Sequence, residues 1–391
     1  MNTHAALMTG KGTGAISTIE IFGDCAQDVL RKIFEPAGTR PVQFKPGDIL
    51  LGTIRDDVEV IDQVTLGCEG PDTFAIHCHG NPLIVEVIMQ LLGKHGASLV
   101  TAEQLLAKTL AAQELFNTIA IEAKLAQTKA KTIEGTKIIA NQIGAGLSEK
   151  AQTWLDGIEE VSLDQIKAEA VRILRQSQAA RLIMYGLTAV LTGPPNSGKS
   201  TLLNFLAGRQ KAIVTDIKGT TRDWVEATCQ IAPLSVTLID TAGLDEQPSE
   251  PQRTVEQAAR EKTTEILDRV DLVLLVLDGS GPAEELDGEL IERICDKQVI
   301  TVLNKSDLPG RFDAGRLPKF LSEPVRISAK EGTGIKHLTE TIRQTSGTID
   351  FNLQQPVCFT DRQENLLTQL TNTEFKRQAV SITMDLLDGQ V

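Results

Sequence analysis

One stretch constrains this chain more than any other. An apolar run, LTAVLT, breaks into Gly193-Pro-Pro-Asn-Ser-Gly-Lys-Ser200 and continues as TLLNFLAG. The spacing of Gly193, Gly198, Lys199 and Ser200 matches GxxxxGK[ST], a loop whose backbone amides cradle phosphate. Such a loop works between a strand and the first turn of a helix, where unpaired amides and the helix dipole face an anion. The pattern therefore predicts a strand, a turn and a helix start. The loop amides and helix N-terminus, from Asn196, Ser197 and Gly198 through Lys199, Ser200 and Thr201, would face the phosphates. Lys199 would reach the outer phosphate oxygens, a catalytic as well as a binding role, and the Ser200 hydroxyl would ligate Mg2+.

Three further motifs follow in order, each at the end of an apolar run. PLSVTLIDTAGLDE offers Asp240 to Mg2+ through water and the amide of Gly243 to a γ-phosphate. VITVLNKSDL supplies Asn304, Lys305 and Asp307. A buried Asp307 would accept two hydrogen bonds from guanine, a pair that adenine cannot supply, so it selects GTP and disfavours a plain ATPase. Asn304 steadies that loop, and the stem of Lys305 can lie on the ring face. RISAKEG places Ser328, Ala329 and Lys330 on a turn where an amide can meet the guanine oxygen. Thr221 is a second Mg2+ ligand and catalytic candidate, in a loop that orders around the γ-phosphate. Arg222 is an arginine finger or the partner of Asp223. Leu244, directly after DTAG, cannot orient a water. The site predicted is that of a GTP-binding, GTP-hydrolysing enzyme.

The runs LTAVLTG, PLSVTLID, DLVLLVLD, QVITVLN and PVRISA alternate with helical stretches, which implies a parallel sheet with helices on both faces. Four regions are expected. Residues 1–100 form a small α+β domain with strands at GAISTIEIFG, DILLGTI, IDQVTLGC and TFAIHCHG and a helix at NPLIVEVIMQLLGKHG. Residues 101–185 are helical, with Leu163, Ile166, Ala170, Ile173 and Leu174 on one face and breaks at Gly135, Gly144 and Gly146. Residues 186–347 are the GTPase domain. Residues 348–391 return to helix, with Leu366, Leu367, Leu370 and Phe375 on one face. The simplest architecture is a multidomain α/β chain whose GTPase domain is inserted in the helical domain.

Composition narrows the partners. The net charge of −13 excludes bulk attraction to nucleic acid. Lys124, Lys129, Lys131 and Lys137 could form a local RNA surface, but Glu122 and Glu134 beside them favour a solvated face. No apolar run approaches the ~20 residues that cross a bilayer, and no secretory leader is visible, so a cytoplasmic location without membrane is expected. The six scattered cysteines read as buried free thiols. His77 and His79 fall on one strand face; satisfied histidines outweigh a metal site there.

GPPNSGKSTLLN, TDIKGTTRD, DTAGL, NKSDL and SAKEGTGI resemble the G domain of the tRNA-modification GTPase family, TrmE/MnmE. The GTGAISTIEIFG start and the flanking helices are similar to that family's domain order, so the resemblance covers most of the chain and is specific in the G domain. It implies K+ held by Asn196 with the loop of Thr215, Ile217 and Thr220, where the ion neutralises developing charge and stimulates hydrolysis. It further implies a homodimer with G-domain dimerisation, a flavin-dependent MnmG-like partner, tRNA wobble-uridine modification, and formyl-tetrahydrofolate in the N-terminal domain. Some positions depart from the family. Gln252 stands twelve residues after Asp240 where the family has its water-orienting glutamate, with Glu250 or Glu256 as substitutes after a register shift. Glu20 replaces a strand arginine, which counts against an anionic folate. CEGPDTFA replaces SYTGED, and the chain ends DLLDGQV without the CxGK tail, a shortened member on this reading. Two functions stay open: tRNA modification, or a GTP-switched regulator that has lost folate binding and the modification chemistry.

Overall fold

Strands in the first hundred residues follow from alternation. In Ile16–Phe22 the residues Ile19 and Ile21 are fully buried while the alternating Thr18 and Glu20 are not. The computed structural model describes residues 3–38, 43–113, 117–209, 225–240, 267, 269–282, 288–321 and 323–389. It divides into two compact units, residues 1–125 with 389–391, and residues 126–388.

The first unit is built on a seven-stranded sheet: β1 (His4–Leu7), β2 (Ile16–Phe22), β3 (Phe34–Pro36), β4 (Ile49–Asp56), β5 (Glu59–Cys68), β6 (Thr73–His79) and β7 (Ser98–Leu99), in the order β3-β4-β5-β6-β2-β1-β7. Every pair is antiparallel except β1 with β7. One face carries Ile19, Ile21, Leu66 and Ile76, packed with α1 (Ala26–Ile33) and α2 (Pro82–Lys94) through Leu30, Ile88 and Leu92. Asn81 caps α2 by accepting from the Leu83 amide, and Pro82 opens it at a position whose amide needs no partner. A capping box of Thr101 and Gln104 starts α3 (Ala102–Ala112), and α4 (Thr118–Gln127) follows. The four expected strands and the helix form; β1, β3, β7 and α1 are additional.

In the second unit the helices are α5 (Ile133–Gly144), α6 (Gly146–Asp156) and α7 (Leu163–Tyr185) before the nucleotide domain, and α11 (Asp361–Asn372) and α12 (Lys376–Asp388) after it. The two sets are tied together. Arg181 on α7 bonds Asp361 and Glu364 on α11, the Tyr185 hydroxyl donates to the Phe359 carbonyl at 2.8 Å, and buried Gln142 accepts from the Val357 amide at 3.1 Å. Gly144 and Gly146 mark the expected break between α5 and α6. Gly135 does not: it lies inside α5, where a Cβ would come within 2.7 Å of the Met184 Cα, so it permits close approach to α7. Phe375 is a second correction. It falls beyond the end of α11 and is 63% exposed, while Leu367 and Leu370 are buried as expected.

Between α7 and α11, β8 (Leu187–Thr192), α8 (Lys199–Arg209), β9 (Val225–Ile231), β10 (Leu234–Asp240), β11 (Leu272–Asp278), α9 (Gly288–Ile294), β12 (Val299–Asn304), β13 (Val325–Arg326) and α10 (Ile335–Thr345) make a six-stranded sheet, order β13-β12-β11-β8-β10-β9. The five expected strands are parallel. The unexpected β9 joins antiparallel to β10 through a tight turn at Ala232 and Pro233, so the sheet is mixed. Val273, Leu275 and Leu277 pack with Ile294 of α9 on one face, and the intervening Leu274 and Val276 are equally buried on the other. All six cysteines are free; Cys25 and Cys295 are exposed, so the expectation of buried thiols holds only for Cys68, Cys78, Cys229 and Cys358. No helix among the described residues is long and apolar enough to cross a membrane.

Candidate nucleotide site

The loop from Gly193 to Gly198 leaves β8 and enters α8, as its spacing predicts. Its path depends on left-handed backbone at three places: Gly193 at φ +135°, Asn196 at +60° and Gly198 at +94°. A Cβ at Gly193 would meet the Val276 carbonyl at 2.2 Å, and one at Gly198 would meet Asn304 Nδ2 at 2.2 Å. Both glycines are therefore fixed by sterics as well as by dihedral angle. Asn196 has no such steric reason; it is a side-chain residue held in an uncommon conformation at an exposed position of the loop.

Lys199 is 4% exposed, and its ammonium donates to the carbonyls of Gly193 at 2.9 Å and Pro194 at 3.0 Å. The lysine thus closes the loop on itself. Ser200 and Thr201 are exposed in the first turn of α8. Asp240 ends β10 directly opposite Leu191, one residue before β8 ends, which sets a buried carboxylate beside the phosphate loop. Ser200 and Asp240 are hard oxygen donors of the kind Mg2+ takes, with phosphate and water left to complete its shell. That set fits the ion. Among the described residues no group of three His, Cys, Asp or Glu side chains could hold a metal, and His77 and His79 bond Thr18 at 3.0 Å and Asp62 at 2.7 Å instead.

Asn304 joins the phosphate loop to the turn of Ser328, Ala329 and Lys330. It is 3% exposed, donates from Nδ2 to the Ser197 carbonyl at 2.9 Å, and accepts at Oδ1 from the Ala329 amide at 2.9 Å. Ser328 is fully buried and donates from Oγ to Asp307 Oδ1 at 2.6 Å. That bond holds the Asp307 carboxyl below the usual carboxylate range, with Lys330 and Lys305 adding attraction. One oxygen of Asp307 is thus fixed by Ser328. Asp307 itself is exposed, contrary to the buried carboxylate expected. Lys330 is also exposed, on the same turn. Lys305, at φ +64°, pairs with Asp278 at 2.7 Å, a partner that sequence reasoning missed. The signal available in sequence is the Asp278 that ends the apolar run DLVLLVLD, followed by Gly279 and Ser280. Thr215, Ile217, Thr220, Thr221, Gly243 and Gln252 lie outside the described residues.

Residues 188–305 match the family described as 50S ribosome-binding GTPase, and residues 3–104 match the GTP-binding protein TrmE N-terminus. The chain is similar to the tRNA modification GTPase MnmE of Heliobacterium modesticaldum, 32% identical over 88% of this chain and 81% of the relative. It is also similar to those of Lachnoclostridium phytofermentans, 30% identical over 90% and 84%, and Clostridioides difficile, 29% identical over 87% and 81%. The phosphate loop is that of a P-loop GTP hydrolase, and the chain belongs to the tRNA modification GTPase MnmE family.

Proposed function

We propose that this enzyme couples GTP hydrolysis to tRNA modification, that K+ stimulates the hydrolysis, and that two G domains meet when it occurs. The observation that carries the reading is Asn196: an exposed asparagine forced to φ +60° between two glycines that cannot be replaced. Left-handed backbone turns successive carbonyls and amides toward one side, and an amide oxygen there is a hard donor suited to an alkali cation beside phosphate. Thr215, Ile217 and Thr220 would supply the remaining oxygens. A cation at that place neutralises charge that builds as the γ-phosphate leaves, the part an arginine finger takes elsewhere. Lys199 holds the phosphates, Ser200, Thr221 and Asp240 hold Mg2+, and Gln252 orients water. Location in the cytoplasm, a homodimer and a flavin-dependent MnmG-like partner complete the reading.

The test is turnover in K+ against Na+ across protein concentrations. Faster hydrolysis in K+, rising per molecule with concentration, supports ion and dimer together; equal rates in the two salts remove Asn196 from the mechanism.

Glu20 favours a second reading for the N-terminal domain. It stands on β2 opposite Ala75, half-buried, with no hydrogen bond or ion pair among the described residues. Burial, with Glu69 adding repulsion, pushes its carboxyl up to about 6. A carboxyl so placed does not fit an anionic folate. On this second reading the chain is a GTP-switched regulator without modification chemistry. Formyl-tetrahydrofolate titration and wobble-uridine analysis of a deletion strain separate the two; folate uptake or loss of the modified base ends the regulator reading.

A further inference from the structure

The turn after β11 is fastened to the base-reading loop more tightly than the sheet requires. In the ladder Asp278 stands opposite Asn304. Beyond that rung the Gly279 amide donates to the Asn304 carbonyl at 2.8 Å, and a Cβ at Gly279 would lie 2.9 Å from the same oxygen. The Asp278 carboxylate is fully engaged. Its Oδ1 accepts from the Ser280 amide at 2.9 Å and the Ser280 hydroxyl at 2.6 Å, and its Oδ2 accepts from Lys305 Nζ at 2.7 Å. Burial would raise this carboxyl; the bonds from Lys305 and Ser280 outweigh burial and hold it below the usual range, so the clamp is charged at neutral pH.

A lysine stem has four methylenes and large rotamer freedom, and laying it on a flat base costs entropy. Lys305 meets that cost before nucleotide arrives, because its backbone is turned to φ +64° and its ammonium is fastened. We propose that Asp278 is a positioning residue for guanine nucleotides: oriented by Ser280, it clamps the Lys305 ammonium so that the Lys305 stem is already in place where the purine ring lies. Asp278 never touches the nucleotide, yet affinity depends on it. This rests on the placement of Lys305 at the ring face, which the single lysine variant tests by itself.

The experiment is a double-mutant cycle on the full chain, read as the Kd and release rate of a fluorescent GDP with Mg2+ present. Asp278→Asn, nearly isosteric, raises Kd about three- to tenfold, chiefly through faster release, while kcat at saturating GTP changes less than twofold. Lys305→Ala weakens GDP by a similar factor, and adding Asp278→Asn to it causes no further loss. Ser280→Ala, which removes one of the bonds orienting the carboxylate, gives a smaller rise of about twofold. An unchanged Kd in Asp278→Asn overturns the proposal. So does the same fold-loss in the presence and absence of Lys305, which would mark Asp278 as merely structural. An unchanged Kd in Lys305→Ala alone would instead remove Lys305 from the ring face, a distinct failure.

Discussion

Removing the Asn304 side chain should cost the free protein more than any other single polar deletion in the nucleotide domain. Asn304→Ala strands two groups at once, the Ser197 carbonyl and the Ala329 amide, each now bonded at 2.9 Å. Asn304 is 3% exposed, and Ser197 and Ala329 are 0% and 2% exposed, so water cannot easily replace it. A buried backbone group left unpaired costs about 1–3 kcal/mol, so the pair costs about 2–6 kcal/mol. Both bonds exist before nucleotide binds, and the loss therefore falls first on stability. At about 2–4 °C per kcal/mol for a domain of this size, the melting transition should drop by about 4–24 °C. In a chain with more than one unit, the relevant transition in calorimetry is the one that added GDP moves upward. Affinity should fall as well, by about tenfold or more, because the phosphate loop and the 328–330 turn lose their common tie. A shift under about 2 °C with unchanged GDP affinity would mean that Asn304 does not hold the pocket together.

Asp307→Asn should move preference from guanosine toward xanthosine nucleotides, since the amide then offers a donor where the carboxylate offered an acceptor; competition binding of GDP and XDP checks it, and unchanged GDP affinity counts against the base-reading role. Glu20 has a folded pKa raised to about 6 against an ordinary 4.5, so the folded chain binds more protons between those values and stability falls as pH rises through that window. Glu20→Gln should flatten that dependence in denaturant titrations across that window and stabilise the protein at neutral pH; an unchanged pH profile would be inconsistent with the burial argument.

The parts of the site that phosphate chemistry dictates are legible in the sequence. Gly193, Gly198, Lys199 and Ser200 have fixed spacing because a turn of given length must aim amides at one anion. The apolar parallel strands are legible for a similar reason, since burial on both faces leaves an unbroken hydrophobic run. The rest depends on contacts that spacing does not encode. The strand β9 reads VEATCQI, an edge strand with Val225 and Glu226 exposed and polar residues interleaved, so no clean run announces it. Gly135 looks in sequence like a break, and only the Met184 backbone against it reveals a packing role. Phe375 keeps helical spacing past Asn372, where α11 has already ended. Asp278 and Lys305 are joined by the register of β11 with β12, a property of pairing across 27 residues of chain.

Every functional conclusion here rests on a phosphate pocket that takes guanine and refuses adenine. Calorimetric titration of the purified chain with GDP and with ADP, Mg2+ present in both, puts that selectivity to the test in a single comparison. One GDP should be taken up per chain, with no measurable heat from ADP. Equal uptake of the two nucleotides, or uptake of neither, would overturn the guanine pocket and the GTPase reading with it.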